Sequence, residues 1–129
     1  MIVFRSKKKK EVSKDLNNGK SWSAGFNKDD VILEKRTREM IDKILNKYKA
    51  WHFAPVNFGM GRDGVPDVIA CYKGHFIGIE AKGWKTGHKL TSAQARTIGD
   101  INAQGGKAIV INPFNLDELD ALLGGLNEN

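Results

Sequence analysis

The side chains best suited to chemistry in this sequence are Asp67, Glu80 and Lys82, which stand at the ends of two apolar segments. Both segments are rich in strand formers, and the Lys73-Gly74 pair between them is turn material, so the sequence predicts a β-hairpin. Because side chains alternate along a strand, Glu80 and Lys82 share one face, with Cα atoms roughly 6.5 Å apart. Asp67 and Glu80 lie at similar distances from the turn, so the hairpin brings these two carboxylates together.

Two carboxylates and one ammonium in this arrangement are typical of a metal site. Adjacent carboxylates repel each other, and a cation between them removes the repulsion. Oxygen ligands without a cluster of Cys and His favour Mg²⁺ or Mn²⁺ over Zn²⁺. A lysine beside the metal can orient or deprotonate a water molecule, or stabilise charge on a phosphate. The alternative is a surface hairpin that ends in a Glu-Lys pair, with an unrelated aspartate before it.

The rest of the chain predicts the elements that would position this hairpin. Periodicity and breaker residues give, in chain order, a helix at 31–49, strands at 51–58, 68–72 and 75–81, a helix at 92–103, a strand at 107–112 and a helix at 116–123. Pro55 makes the first strand an edge strand. The apolar 107–112 strand follows a helix and suits a parallel, central position. Asn115 with Glu118 is expected to cap the last helix, and Gly124-Gly125 to end it.

The first helix carries another candidate carboxylate, Glu34. Asp29 or Asp30 is expected to cap this helix. Its inward stripe is formed by six residues: Thr37, Met40, Ile41, Ile44, Leu45 and Tyr48. At about 100° per residue, Glu34 lies only about 20° from Ile41, so it belongs to the inward side, where a carboxylate needs a partner or a metal. The alternative is a hydrated residue of the first turn, favoured by the helix dipole.

Two loops flank the hairpin. Residues 59–64 match the G-x-G-x-x-G pattern, but a strand follows instead of a helix, which excludes a dinucleotide site. We expect this loop to allow a close backbone approach, with Arg62 placed to meet a phosphate. The basic loop that contains Trp84, Lys85 and Lys89 suits a nucleic-acid backbone, with one exposed aromatic for stacking. The alternative is an ordinary connection with a packed Trp84.

Gln94 has two possible uses. Thr91-Ser92-Ala93-Gln94 fits a capping box at the start of a helix, which accounts for Gln94 by itself. Gln94 also shares a face with Ile98 and Ile101, so its side chain could hold the attacking water or a phosphate. The two uses compete for one side chain.

The positive charge of the chain is concentrated near its beginning. The formal net charge is +6 over 129 residues; residues 1–29 carry +5 of it, including Lys7, Lys8, Lys9 and Lys10, and the rest carries +1. We therefore divide the chain into a basic arm at 1–29 and one domain at 30–129. A basic arm suits a polyanion such as nucleic acid, and the alternative is a solvated tail. The single Cys71 and the lack of a signal peptide or membrane segment favour the cytoplasm.

The motifs and their order resemble the PD-(D/E)xK nuclease superfamily. Pro66-Asp67 and Glu80-Ala81-Lys82 stand as the two halves of its signature. More narrowly, the chain is similar to the VRR-NUC family, particularly its compact members carried by bacteriophages. The segments that carry this likeness are Gly64-Val65-Pro66-Asp67, Ile79-Glu80-Ala81-Lys82, Leu90-Thr91 with Gln94, and Gly105-Gly106.

The resemblance implies a restriction-endonuclease-like αβββαβ core, a mixed central sheet flanked by helices. It implies that Asp67, Glu80, the Ala81 carbonyl and Glu34 hold Mg²⁺ or Mn²⁺, that Lys82 positions the water, and that Gln94 lies near the site. The implied activity is a DNA endonuclease that favours branched structures, such as Holliday junctions or flaps, and leaves a 5′-phosphate and a 3′-hydroxyl.

The implied assembly follows from the activity. Since one site cuts one strand, we expect a homodimer. If the protein is encoded by a phage, as the resemblance implies, we expect it to act in the bacterial host cytoplasm. We expect no membrane association and no small-molecule cofactor. The alternative function is a non-catalytic nucleic-acid-binding module with the same fold.

Overall fold

A computed structural model describes residues 26–56, 59, 61–85 and 89–127. Its elements are, in chain order, α1 (Glu34–Lys47), β1 (Trp51–Phe53), β2 (Val68–Tyr72), β3 (His75–Ala81), α2 (Ser92–Ala103), β4 (Lys107–Ile111) and α3 (Leu116–Asn127). This α/β order agrees with the predicted αβββαβ core followed by one more helix. Within the described ranges, no helix combines the length and the apolar character that crossing a membrane requires.

The predicted hairpin is confirmed with its bounds. Strands β2 and β3 pair antiparallel from Tyr72 opposite His75 to Val68 opposite Ile79. Lys73 and Gly74 both have positive φ, 51° and 82°, as the type I′ turn requires. Continued by one residue, this register places Asp67 opposite Glu80.

One mixed sheet holds all four described strands, in the order β1-β2-β3-β4. Strand β1 is an edge strand, as predicted, but it covers only 51–53, since the chain leaves the sheet before Pro55, which has no N–H to donate. Strand β4 is parallel to β3, also as predicted. Its predicted central position is wrong, because β4 lies at the other edge and only Ile111 in it is buried.

The main core lies between one face of the sheet and helices α1 and α3. Inward residues of β2 and β3, among them Val68, Ala70, Ile77 and Ile79, pack against the predicted α1 stripe and against Leu116, Leu119 and Leu123 of α3. Five members of the α1 stripe are buried: Thr37, Met40, Ile41, Ile44 and Leu45. The opposite sheet face carries Glu80 and Lys82, and α2 covers part of it.

Helix α1 begins at Glu34, three residues later than predicted, and neither Asp29 nor Asp30 caps it. Its N-cap position is Leu33, which is extended and makes no side-chain cap. The Asp30 carboxylate instead accepts from the backbone N–H of Asn27 (3.1 Å). The physical reason is that Ile32 pairs with Trp84 in an isolated antiparallel bridge, which keeps the chain extended up to Leu33.

The two later helices differ in how well their ends were predicted. Helix α2 and its capping box are confirmed with their bounds. Helix α3 continues through Gly124-Gly125 to Asn127, because Leu126 is buried in the core and tertiary packing outweighs the weak helix propensity of glycine. The predicted cap by Asn115 is wrong, since its side-chain oxygen accepts from the N–H of Asn112 (2.6 Å).

Candidate active site

Asp67 and Glu80 form a carboxyl pair at the end of the hairpin. The backbone N–H of Ala81 donates to Asp67 Oδ2 (2.8 Å), which fixes the Asp67 carboxylate beside β3. Glu80 is only 2% exposed, and its buried Oε1 accepts no hydrogen bond from any donor in the described part of the chain. A hydrogen bond with the Asp67 side chain is one of the causes that raise the pKa of Glu80, and two carboxyls can form such a bond only if they share a proton.

The electrostatics of this pair favour a bound cation or proton. Burial raises the pKa of Glu80 to about 8, and the hydrogen bond with Asp67 and the Asp67 charge act in the same direction. The nearby Lys82 ammonium and a backbone hydrogen bond from Asp67 act against this rise in pKa. A second negative charge is therefore costly at this position unless a cation compensates for it.

Lys82 is anchored on both sides of its backbone and at its side-chain tip. Its N–H donates to the carbonyl of Ile111 (2.8 Å), and its carbonyl accepts from Thr37 Oγ1 (2.9 Å). Its Nζ donates to Gln94 Oε1 (3.2 Å) and lies 3.4 Å from the Lys89 carbonyl. The ammonium is therefore positioned by α2, while α1 and β4 fix the backbone that carries it.

Of the two uses of Gln94 that the sequence left in competition, the structure confirms the capping box and adds a contact with Lys82; holding the attacking water or a phosphate stays a prediction. Gln94 Oε1 accepts from the N–H of Thr91 (2.9 Å) in the capping box and also from Lys82 Nζ. A carbonyl oxygen has two lone pairs, so one atom can cap the helix and hold the lysine. The start of α2 is thereby coupled to the candidate site.

The beginning of α1 lies directly against the chain that follows β3. A Cβ added to Gly83 would come within 2.4 Å of the Ile32 carbonyl oxygen and 3.0 Å of the Glu34 backbone nitrogen. Only glycine allows this approach, and it places Glu34 close to the backbone of the Glu80–Lys82 segment.

The Glu34 side chain forms an ion pair with Arg38. Glu34 Oε2 lies 3.2 Å from Arg38 Nη1, and the Glu34 side chain is 32% exposed. Across the residues that the structure covers, no group of three or more His, Cys, Asp or Glu side chains is arranged to hold a metal. The carboxylates that come together are those of Asp67 and Glu80. The direct binding of a metal by Glu34 stays a prediction, and so does metal binding by the Ala81 carbonyl.

The predicted DNA-contacting residues differ in their surroundings. Trp84 is packed, as the alternative had it, and not exposed: it is half-buried, donates through Nε1 to the Lys28 carbonyl (3.0 Å) and packs edge-on against Phe114. Lys85 pairs with Asp29 (3.3 Å). Lys89 and Arg62 are exposed, and the predicted run of Lys7, Lys8, Lys9 and Lys10 lies outside the described ranges.

Sequence reasoning missed two residues that belong to the site. Arg38 was not among the predicted site residues, although its spacing of four from Glu34 is the signal for a helical ion pair. Thr37 was predicted only as a member of the inward stripe of α1. Its hydrogen bond to the Lys82 carbonyl depends on the packing of α1 against β3, which no local pattern shows.

Comparison with known proteins identifies no relative of this chain. No family model, curated protein or solved structure matches it. The interpretation of the site therefore depends on its own geometry and on the motif resemblance.

Proposed function

We propose that this protein is a metal-dependent DNA endonuclease that hydrolyses phosphodiester bonds. The observation that carries the proposal is the Asp67–Glu80 pair, in which Glu80 is buried and its Oε1 has no hydrogen-bond donor among the described residues. Burying the Glu80 carboxylate beside the half-buried Asp67 costs several kcal/mol unless a cation or a proton compensates, so a plain surface hairpin does not account for the arrangement. Hard oxygen donors fit Mg²⁺ or Mn²⁺.

In this proposal Asp67 and Glu80 hold the divalent ion, with the Ala81 carbonyl and Glu34 as the further ligands that the resemblance implies. The ion would supply Lewis-acid stabilisation of charge on the phosphate. Lys82, held by Gln94, orients the water and neutralises developing negative charge. The preference for branched DNA, such as junctions and flaps, comes from the family resemblance alone.

The second candidate is a non-catalytic nucleic-acid-binding module. One observation favours it: within the described ranges only two carboxylates come together, and Glu34 is paired with Arg38. This candidate predicts salt-dependent binding without cleavage under any divalent ion.

A cleavage panel tests the proposal. The full chain and its Asp67→Ala, Glu80→Ala and Lys82→Ala variants are incubated with labelled four-way junction, flap, single-stranded and linear duplex DNA, in Mg²⁺, Mn²⁺ or EDTA. Glu118→Ala serves as a control because it removes an exposed carboxylate on α3. We expect metal-dependent cutting by the wild type and the control, and at least a thousand-fold loss in the three site variants. Binding without cutting under every condition would favour the second candidate.

A further inference from the structure

A cavity of about 320 Å³ opens beside Asp67, where the chain leaves β1 and enters β2. Its volume lies at the lower end of the range for small-ligand sites. Ten residues line it: Arg38, Ala54, Pro55, Val56, Gly61, Arg62, Gly64, Val65, Pro66 and Asp67. Since Asp67 is one of them, the cavity reaches the carboxyl pair.

Two arginines are among the residues that line the cavity. Arg38 on α1 bonds Glu34 through Nη1, and Arg62 in the loop before β2 has its Nη2 3.8 Å from Asp100. A guanidinium carries five N–H donors in a planar fork, so the bond from Arg38 to Glu34 leaves further donors of Arg38 for a second acceptor. Arginine is the side chain best matched to the oxygens of a phosphate.

The remaining wall of the cavity is mostly apolar. Ala54, Pro55, Val56, Val65 and Pro66 contribute hydrocarbon surface, and Val56 is 71% exposed. A free inorganic anion would gain nothing from this wall. A nucleotide would, because its phosphate can meet the arginines while its sugar and base cover the apolar side chains.

We propose that this cavity binds one nucleotide of the substrate strand, next to the phosphate that is cut, with Arg38 and Arg62 as its phosphate ligands. The position relative to the cut rests on the proposed function, since it takes Asp67 as part of the catalytic centre. The nucleotide-binding property itself depends only on the cavity, its two arginines and its apolar wall.

Titration with thymidine 3′,5′-bisphosphate in EDTA tests the cavity separately from any metal. Affinity is measured for the full-length wild type and for the Arg38→Ala, Arg62→Ala and Arg38→Lys variants. Lys35→Ala and Lys43→Ala are the matched controls, because they remove one exposed positive charge each from the helix that carries Arg38. We expect each arginine-to-alanine change to weaken binding about ten- to hundred-fold, the two controls less than two-fold, and lysine to restore only part of the affinity.

Amide chemical shifts locate the bound nucleotide. Perturbations at Val56, Gly61 and Val65 that disappear in the Arg38→Ala protein are the expected result. Absence of binding to the wild type, or equal binding by the arginine variants and the lysine controls, would overturn the proposal.

Oligonucleotides distinguish the two sources of such a phosphate. Equal affinity for 5′-phosphorylated and 5′-hydroxyl strands would show that the cavity binds an internal phosphodiester. A preference for the 5′-phosphorylated strand that is lost in Arg38→Ala assigns it to a strand end.

The cleavage panel separates this proposal from the nuclease itself. If both arginine variants cut DNA with the KM and kcat of the wild type, the cavity is rejected as the subsite beside the cut phosphate and the nuclease still stands. The wild type could cut no substrate and still bind the bisphosphate, with the binding lost in the arginine variants. That result would establish nucleotide binding in the cavity and reject the nuclease.

Discussion

Glu80 combines deep burial, an orphaned oxygen and a neighbouring carboxyl group, and these together make the stability of the fold depend on pH. Its pKa is raised from the ordinary value of 4.5 to about 8 in the folded chain. Between these two pH values the folded state holds a proton that the unfolded state releases. Stability from this group is therefore complete below the unfolded pKa and is lost as pH rises through the folded pKa.

We expect the metal-free protein to lose stability as pH rises from about 5 to about 8. One extra proton in the folded state gives a slope approaching ~1.4 kcal/mol per pH unit, and Glu80→Gln should remove most of it because the amide does not ionise. Chemical denaturation in EDTA at several pH values measures the slope. The exposed Glu118→Gln variant should behave like the wild type.

A bound divalent ion should stabilise the folded protein more as pH rises, whereas the metal-free protein loses stability. A divalent ion that replaces the proton stabilises the folded state more strongly at pH 8 than at pH 6, because it no longer competes with protonation. Thermal unfolding of the wild type with and without Mn²⁺ at both pH values measures this. An identical metal effect in Glu80→Gln would argue against the carboxyl pair as the metal site.

At the scale of residues, the sequence predicted the pairing of Asp67 with Glu80, because the geometry of a hairpin determines it. Counting from the Lys73-Gly74 turn placed Asp67 beside Glu80 because antiparallel register follows from the turn. The helical wheel gives the direction of Cβ and not the partner of a long side chain, so the local signal for the Glu34–Arg38 pair was its spacing of four. The sequence left a packed Trp84 as one of two possibilities, because its partner Phe114 lies thirty positions later in the chain.

At the scale of elements, Thr91 and Gln94 form a matched pair at the start of α2. Each supplies one half of the capping box, but only Gln94 also contacts Lys82. Thr91→Ala and Gln94→Ala should each cost about 1 kcal/mol of stability. Gln94→Ala alone should lower kcat, by roughly ten-fold as an order of magnitude, because Lys82 is then no longer held in position. Equal kcat in the two variants would show that the hydrogen bond to Lys82 is dispensable.

The packing of α1 against the end of β3 gives a second pair of variants. Gly83→Ala brings a Cβ to 2.4 Å from the Ile32 carbonyl oxygen and should destabilise the protein by about 1–3 kcal/mol. Gly125→Ala meets no atom within 4 Å and lies inside α3, so it should leave stability unchanged or raise it by up to about 1 kcal/mol. Equilibrium unfolding measures both. A neutral Gly83→Ala would contradict the close packing of α1 on this segment.

Element prediction succeeded where local signals and tertiary packing agreed. The hairpin and the capping box of α2 are both local, and both were predicted with their bounds. The end of α3 was misplaced because burial of Leu126 overrides two glycines, and the start of α1 because Ile32 pairs with a residue far along the chain. The edge position of β4 depends on the sheet as a whole.

At the scale of the whole molecule, the positive charge should control the affinity for DNA. Phe26 packs against the core and the Lys28 carbonyl accepts from the Trp84 indole, so a truncation should stop well before these residues. Deletion of residues 1–20 removes seven of the basic side chains and two acidic ones. We expect weaker DNA binding and a shallower dependence of log K on log salt, by about 0.9 for each phosphate that the arm no longer neutralises. An unchanged slope in a filter-binding or anisotropy titration would exclude the arm as a DNA-binding element.

The α/β class and the element order followed from the sequence because periodicity and turn chemistry are strong in this chain. The sheet order and the burial of Glu80 required the complete fold. The homodimer stays a prediction, and sedimentation velocity of the full chain over a range of concentrations measures it. A monomer throughout that range would restrict the proposed activity to one strand per encounter.

The most direct test of the proposed metal site is a Mn²⁺ titration of the full chain without DNA, followed by electron paramagnetic resonance at pH 8. We expect saturable Mn²⁺ binding by the wild type that is weakened at least ten-fold in Glu80→Gln and in Asp67→Asn, with Glu118→Gln unchanged. Binding of the same strength in all four proteins, or none in the wild type, would contradict the assignment of the Asp67–Glu80 pair as a divalent-metal site.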